Sequence, residues 1–180
     1  MKRVSRMKRF PFLLLDTGPI IKLFELNLWD QFIDKCHVTV SRTVANQAKY
    51  ASQEFEDVRV DLQPYEDRGL INIFDLEPST VRVFYQQFSQ LYKATIHTGE
   101  KETLAFLCNS TGNWLMCSAD GAVFRVLGLL GKAQQGISLE EVLKEIGLSQ
   151  STLEWKYTKA FREKYTSLGQ IDSIQDKGLL

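Results

Sequence analysis

The sequence is poor in the residues that build disulfide frameworks and zinc sites. Its 180 residues include three cysteines and two histidines. Cys36, Cys108 and Cys117 lack CxxC spacing, which argues against a disulfide framework and against a zinc site. We interpret all three as small buried hydrophobic residues in a reducing compartment, and this interpretation predicts a cytoplasmic protein.

The chain also lacks an excess of either charge and any long apolar run. Lys and Arg number 22, as do Asp and Glu, so bulk charge does not mark a nucleic-acid-binding protein, although a local basic patch is enough for phosphate contacts. Such a patch occupies residues 1–10, a predicted basic arm that contains Lys2, Arg3, Arg6, Lys8 and Arg9. The arm is either a solubilising tail or a phosphate contact. No stretch reaches the length that a membrane span needs.

Apolar runs alternate with helical patterns along most of the chain. The run Phe12–Leu15 is apolar throughout and ends at Asp16, which is typical of a strand buried on both faces of a parallel sheet. Strand and helix signals then alternate over residues 11–148, and that order is typical of α/β folds. We therefore predict an α/β domain whose parallel sheet has four to five strands, with Phe12–Leu15 central and helices on both faces.

Helix-capping signals predict two further helices. Ser79 can cap a long helix over residues 80–93, and the sequence STLE at 151–154 fits a capping box that opens a C-terminal helix over 151–168. Residues 169–180 are expected to form a flexible tail. Aromatic side chains on the C-terminal helix are expected either to dock on the domain's own core or to form a homodimer surface. They are Trp155, Tyr157, Phe161 and Tyr165.

Four acidic residues follow predicted strands or begin the helix before one. Asp16 ends the first strand, Asp120 ends the strand 114–118, and Glu100 and Glu102 begin the preceding helix. Sites in open parallel sheets form at the carboxyl ends of the strands. Carboxylates without neighbouring His or Cys suit Mg²⁺ or Mn²⁺, whereas each acid taken alone also fits an ordinary helix cap.

Three segments, in order, resemble the PIN-domain family. Residues 13–23 read LLLDTGPIIKL, like the opening strand and short helix of PIN domains. Residues 97–105 read HTGEKETLA, which is similar to the Gly-Glu-x-Glu-Ala helix of the toxin-like branch. Residues 117–120 read CSAD, which resembles the later strand that ends in Thr/Ser-x-Asp. The resemblance covers roughly residues 11–147.

The resemblance implies a PIN-like fold and a metal-dependent ribonuclease acting on RNA. By position, the metal ligands would be Asp16, Glu102 and Asp120, with Glu100 able to serve instead of Glu102 or beside it. Ser118 would support the site through a hydrogen bond. The toxin-like branch also implies the toxin of a toxin–antitoxin pair, with an antitoxin protein as partner, and it implies that homodimers are common.

The sequence departs from the family pattern at two positions. Gln47 stands where a Glu is expected in the helix after the second strand, and Ala119 stands where many relatives carry the first of two acids. A missing carboxylate lowers metal affinity, although the Gln47 amide oxygen can still accept a hydrogen bond. The alternative to a nuclease is therefore a catalytically weak or inactive PIN-like binding or regulatory module.

Positive residues near the strand ends are candidates for RNA contacts. We single out Arg42, Lys49 and Arg125 on helices that follow strands, because phosphate groups require cations near the substrate path. His97, beside the Gly99-Glu100 helix start, is either a contact at the site or a structural histidine.

Two other enzyme classes share the Asp at the end of the first strand. The triplet Asp16-Thr17-Gly18 resembles that of aspartic proteases, but it occurs once and the helical patterns oppose an all-β fold. A haloacid-dehalogenase-type phosphatase would carry a second acid where Gly18 stands. Both classes fit this chain less well than a PIN-like domain.

Overall fold

A computed structural model describes residues 9–53 and 59–180, and for Tyr50–Gln53 it describes the backbone alone. Most of the predicted basic arm lies outside the described residues. Its last basic member, Arg9, donates through its guanidinium group to the backbone oxygens of Ile33 and Cys36. Arg9 therefore satisfies carbonyl groups at the end of a helix, which is a structural role for a cation.

Five strands form one parallel sheet. They are β1 (Phe10–Leu15), β2 (Cys36–Ser41), β3 (Asn72–Phe74), β4 (Leu115–Cys117) and β5 (Gly136–Ile137). Their spatial order is β3-β2-β1-β4-β5, and every neighbouring pair is parallel. The predicted α/β fold and the central place of the first strand are confirmed.

Ten α-helices surround this sheet in the described part of the chain. They are α1 (Thr17–Glu25), α2 (Trp29–Lys35), α3 (Arg42–Gln53), α4 (Gln63–Asp67), α5 (Pro78–Gln86), α6 (Gln90–Lys93), α7 (Thr98–Asn109), α8 (Gly121–Leu129), α9 (Leu139–Glu145) and α10 (Lys159–Ile174). No helix among the described residues is both long enough and apolar enough to cross a membrane.

The central strand has a core on each of its faces. Leu13 and Leu15 belong to one buried cluster and Leu14 to another, and all three side chains are fully buried. Successive side chains of a strand point to opposite faces, so a strand covered on both sides is apolar at every position. This explains why the apolar run ends where β1 leaves the sheet.

The helix predicted over residues 80–93 is divided in the structure. Helix α5 ends at Gln86 and α6 begins at Gln90. Between them, Phe88 forms a β-bridge with Leu179, and the Ser89 N–H donates to Gly178 O. Contacts with residues far along the chain therefore replace the helical hydrogen bonds at this point, and local periodicity could not reveal them.

The C-terminal helix occupies a different span from the one predicted. Thr158 caps it, accepting a hydrogen bond from the Phe161 N–H, and it runs to Ile174. The capping-box sequence at 151–154 begins no α-helix, and a short 3-10 turn, Trp155–Tyr157, follows it. Residues predicted as a tail continue the helix, and beyond it the Leu180 N–H donates to Gln87 O. The terminal segment is thus anchored against the loop between α5 and α6.

Most of the aromatic stripe serves the domain's own core. Tyr157 and Phe161 are buried, Tyr165 is half-buried and Trp155 is 51% exposed. Helix α10 packs closely on α8, and a Cβ added at Gly169 would lie 1.9 Å from the Arg125 carbonyl oxygen. Tyr157 and Phe161 therefore dock on the domain's own core, which was the first of the two expectations for these aromatic side chains.

Candidate active site at the carboxyl ends of the strands

Asp16 stands where the central strand passes into α1. Its backbone is extended at the N-cap position, and its Oδ1 accepts the Thr17 N–H at 2.7 Å. The other oxygen, Oδ2, accepts the Ser118 hydroxyl at 2.7 Å. The side chain is 7% exposed. Two donors thus fix the orientation of a buried carboxyl group.

Asp120 stands at the equivalent point after the neighbouring strand. It caps α8, with Oδ1 accepting the Ala122 N–H at 2.8 Å. Its own N–H donates to Ser118 Oγ at 3.0 Å. Ser118, which the family resemblance assigns a supporting role, therefore bridges Asp16 and the backbone of Asp120. The carboxyl ends of β1 and β4 are joined at this serine.

Glu100 brings a third carboxyl group from α7. Its Oε2 accepts the His97 N–H at 2.9 Å, and it is 6% exposed. The three acids share an open cleft of about 630 Å³. The cleft is lined by Asp16, Thr17, Gly18, Gln47, His97, Glu100, Ala119, Asp120 and Lys156.

Burial and repulsion between neighbouring carboxyl groups raise the pKa of two of these acids, Asp16 and Glu100. Burial, the largest cause, raises the pKa of Asp16 above its ordinary value, and the charge of Asp120 adds to the rise. Burial, followed by the charges of Asp16 and Asp120, raises the pKa of Glu100 to about 8. An acid that keeps its proton near neutral pH lacks a compensating cation. The cleft therefore favours the entry of positive charge.

Glu102 does not line the cleft, in contrast to the expectation that it would be a ligand with Glu100 at the rim. Its Oε1 accepts the Thr43 hydroxyl at 2.8 Å. Two residues along a helix differ by about 200° in direction, so Glu100 and Glu102 cannot both face one cleft from the same helix. Glu100, not Glu102, is the α7 acid that accompanies Asp16 and Asp120.

Gln47 occupies the cleft wall where the family pattern has an acid. The Thr17 hydroxyl donates to its Oε1 at 3.2 Å. A Cβ added at Gly99 would lie 2.6 Å from the same oxygen, so the start of α7 can approach only because position 99 has no side chain. Gln47 thus offers the cleft a neutral oxygen rather than a charge.

The donor set fits a hard divalent cation in its chemistry. Asp16, Glu100 and Asp120 offer carboxylate oxygens, which Mg²⁺ and Mn²⁺ prefer. Within residues 9–53 and 59–180, however, no three His, Cys, Asp or Glu side chains stand close enough together to hold a metal as they are. Mg²⁺ commonly keeps several waters and takes only one or two carboxylates, and such partial coordination suits these acids.

The three predicted RNA contacts carry charges that acids within the chain neutralise. The Arg42 guanidinium lies 3.1 Å from Glu66, Lys49 Nζ lies 3.8 Å from Asp61, and Arg125 Nε lies 2.7 Å from Asp172. These are ion pairs between N and O atoms. None of the three basic residues lines the cleft. Their role in RNA binding stays a prediction.

Lys156 is the cleft residue that sequence reasoning missed. It lies in a short 3-10 turn, Trp155–Tyr157, between α9 and α10. The aromatic spacing assigned this region to a continuous helix, which would have carried Lys156 away from the strand ends. No local signal reveals that this segment folds back onto the beginning of α1.

Comparisons with known proteins do not add a family. A scan against protein-family models gives no match, and a search of curated proteins finds no relative.

Proposed function

We propose that this chain is a metal-dependent endoribonuclease of the PIN-domain type that cleaves single-stranded RNA in the cytoplasm. One observation carries the proposal. Three carboxyl groups from three different elements line one cleft at the carboxyl ends of the strands, and the pKa of one of them rises to about 8. Strongly shifted acids in a cleft are characteristic of functional sites.

Asp16, Glu100 and Asp120 would hold Mg²⁺ or Mn²⁺. Bound there, the metal would lower the pKa of water and offset charge on the phosphoryl oxygens. The Ser118 hydroxyl donates to Asp16 Oδ2 and fixes the orientation of that carboxyl group. The same hydroxyl oxygen accepts the Asp120 N–H. No serine, cysteine or histidine nucleophile is required, which suits a cleft whose reactive groups are acids.

Glu100 links cation binding to proton release. In the absence of a cation, burial and the charges of Asp16 and Asp120 raise the pKa of Glu100 to about 8, so its carboxyl group retains a proton near neutral pH. A divalent cation bound there would offset the repulsion, and the Glu100 carboxyl group would release its proton to solvent. Cation affinity should therefore rise with pH over the range in which Glu100 titrates.

A catalytically weak or inactive PIN-like binding module is the second candidate. Gln47 and Ala119 favour it, because both lie on the cleft wall and neither supplies the acid that the family pattern has there. In this case the cleft would bind RNA or a protein partner and would not cleave RNA. The toxin branch of the family adds two partners to the proposal, an antitoxin protein and a second copy of this chain.

Cleavage of a mixed RNA substrate separates the two candidates. We expect the wild type to cleave with Mn²⁺ and to stop when EDTA is added. Asp16→Asn should lower the rate by at least about a hundredfold, since it removes charge that stabilises the site's cation. Glu102→Gln is the matched control and should keep most of the activity, because Glu102 bonds Thr43 outside the cleft. Equal cleavage by Asp16→Asn, or none by the wild type with Mn²⁺, would favour the binding module.

A further inference from the structure

The turn that carries Lys156 is held firmly beside the acidic cleft. The Tyr157 hydroxyl donates to Gly18 O at 3.3 Å, two residues after Asp16. Glu154, the residue just before the turn, forms an ion pair with Lys22 of α1, with 2.8 Å between Oε1 and Nζ. The turn is thus tied to the helix that Asp16 begins, and Lys156 reaches the cleft wall from a fixed support.

Two lysines in this region have no ion-pair partner in the described part of the chain. They are Lys156 and Lys164, and both are exposed. Their basic neighbours are paired, since Lys159 lies 3.5 Å from Glu163 and Arg162 bonds Glu141. The charge of Lys156 also acts on Glu154 two residues before it, but neither lysine is held in an ion pair within the described residues, so both ammonium groups can approach an external anion.

An aromatic ring lies beside one of these two charges and next to the other in sequence. Trp155 precedes Lys156 in the turn, and Lys164 Nζ lies 5.0 Å from the centroid of its ring. Phe161 contacts the ring nearly at right angles, with centroids 4.9 Å apart. Because Trp155 is still 51% exposed, the contact fixes its position and leaves much of the ring in water. An ordered, exposed tryptophan beside a cation is suited to stacking against an unpaired base.

We propose that Trp155, Lys156 and Lys164 form a binding surface for single-stranded RNA that leads into the acidic cleft. The inference rests on the proposed function for the identity of the nucleic acid. Phosphates approaching three carboxyl groups need nearby cations, and Lys156 supplies one on the cleft wall itself. Base stacking requires a base that is not already stacked in a duplex, so the surface selects single strands. All three residues lie beyond the segment that resembles PIN domains.

Binding measured in EDTA tests this surface independently of cleavage. Fluorescence anisotropy of a labelled RNA oligonucleotide would be followed across a salt series for the wild type and the double variant Lys156→Gln/Lys164→Gln. We expect about tenfold weaker binding, and a salt dependence reduced by about 0.7 per lysine. Lys159→Gln is the matched control, since its charge is paired with Glu163, and it should bind almost as well as the wild type.

Tryptophan fluorescence tests the role of Trp155 separately. RNA should quench the fluorescence of Trp155, whereas Trp29 is buried and Trp114 half-buried. Trp155→Phe should lose the quenching and keep most of the affinity, and Trp155→Ala should bind about tenfold more weakly because stacking is lost. Thermal melting of both variants checks that α10 stays in place. A duplex of the same sequence should bind more weakly and without quenching.

The outcomes separate this surface from the reaction. Weakened binding by the lysine double variant with an unchanged control supports the surface, even if the wild type cleaves nothing with Mn²⁺, and in that case only the proposed nuclease fails. Wild-type affinity in the double variant would overturn the surface, as would the absence of RNA binding by the wild type in EDTA. Asp16→Asn should bind RNA at least as well as the wild type, because it removes negative charge from the cleft.

Discussion

Helix α8 connects two regions in which buried acids are treated in opposite ways. On one side, Asp172 of α10 accepts the Arg125 guanidinium at 2.7 Å and the Tyr92 hydroxyl at 2.5 Å. The Arg125 hydrogen bond lowers the pKa of Asp172. At the other side, Asp120 begins α8 beside Asp16 and Glu100, and burial raises the pKa of those two acids.

The two regions differ in whether the ionised form of a buried acid has a basic partner. Asp172 has a cation and a hydroxyl group within hydrogen-bonding distance, so its charge contributes to holding α10 on α8. Asp16 and Glu100 have hydrogen-bond donors but no basic side chain bonded to them in the described part of the chain. A protein gains no stability from crowding carboxyl groups in this way. Asp16 and Asp120 also cap helices, but Ser or Asn can cap a helix equally well without the repulsion. A ligand of positive charge therefore explains the choice of carboxyl groups better than helix capping alone.

The largest expected effect comes from breaking the compensated region. Asp172→Ala should lower the free energy of unfolding by about 3 kcal/mol, because it leaves Arg125 and the buried Tyr92 hydroxyl without their acceptor. Chemical denaturation at neutral pH measures the change. Glu163→Ala on the same helix is the control and should cost less than about 0.5 kcal/mol, since its pair with Lys159 is exposed. Equal losses in the two variants would contradict the account of Asp172.

A smaller loss of stability, one that depends on pH, is expected in the uncompensated region. The pKa of Glu100 is about 8 in the folded chain, against an ordinary value of 4.5. Between these values Glu100 carries its proton in the folded chain but not in the unfolded chain, so its contribution to stability falls as pH rises through that window. In EDTA, the free energy of unfolding should fall by on the order of 2 kcal/mol across it.

Glu100→Gln should reduce this fall, because it removes the titrating group. Denaturation curves at several pH values provide the measurement. Glu102→Gln should reproduce the wild-type fall, since the change leaves the cleft acids in place. If Glu100→Gln and Glu102→Gln behaved alike, Glu100 would not be the acid that repulsion keeps protonated.

The smallest expected effect is a gain in cation affinity. Gln47→Glu adds a carboxylate to the cleft wall while keeping an oxygen that can accept the Thr17 hydroxyl. Mn²⁺ should bind about fivefold more tightly, which corresponds to about 1 kcal/mol. Asn46→Asp adds the same charge at the exposed neighbouring position outside the cleft and should change the affinity little. An equal gain in Mn²⁺ affinity in both variants would show that added negative charge, and not its position in the cleft, causes the effect.

Much of the fold and the positions of two site acids followed from the sequence. The continuous apolar run of β1 predicts a strand covered on both faces, and the acid that ends it must lie at the carboxyl edge of the sheet. The same reasoning placed Asp120. These predictions rest on the apolar pattern of each strand, which is local, and on the alternating order of strands and helices, which implies a parallel sheet.

The rest depended on contacts that no local pattern contains. Choosing between Glu100 and Glu102 requires the rotational position of α7, which its packing sets. Arg42 is paired with Glu66, 24 residues away, and a charge count cannot show that pairing. Lys156 reaches the cleft because Tyr157 bonds Gly18 across 139 residues. These tertiary contacts hold residues 155–157 in a turn, and the C-terminal helix therefore begins after Thr158 rather than at the predicted capping box.

Direct titration of the cleft with Mn²⁺ tests the central claim, that the three carboxyl groups form a cation site. Calorimetry of the wild type and Asp16→Asn in two buffers of different ionisation enthalpy would report both binding and proton release. We expect the wild type to bind Mn²⁺ saturably at one site and to release a proton from Glu100 near neutral pH, and Asp16→Asn to bind at least about tenfold more weakly. Equal binding by both proteins, or no saturable binding by the wild type, would contradict it.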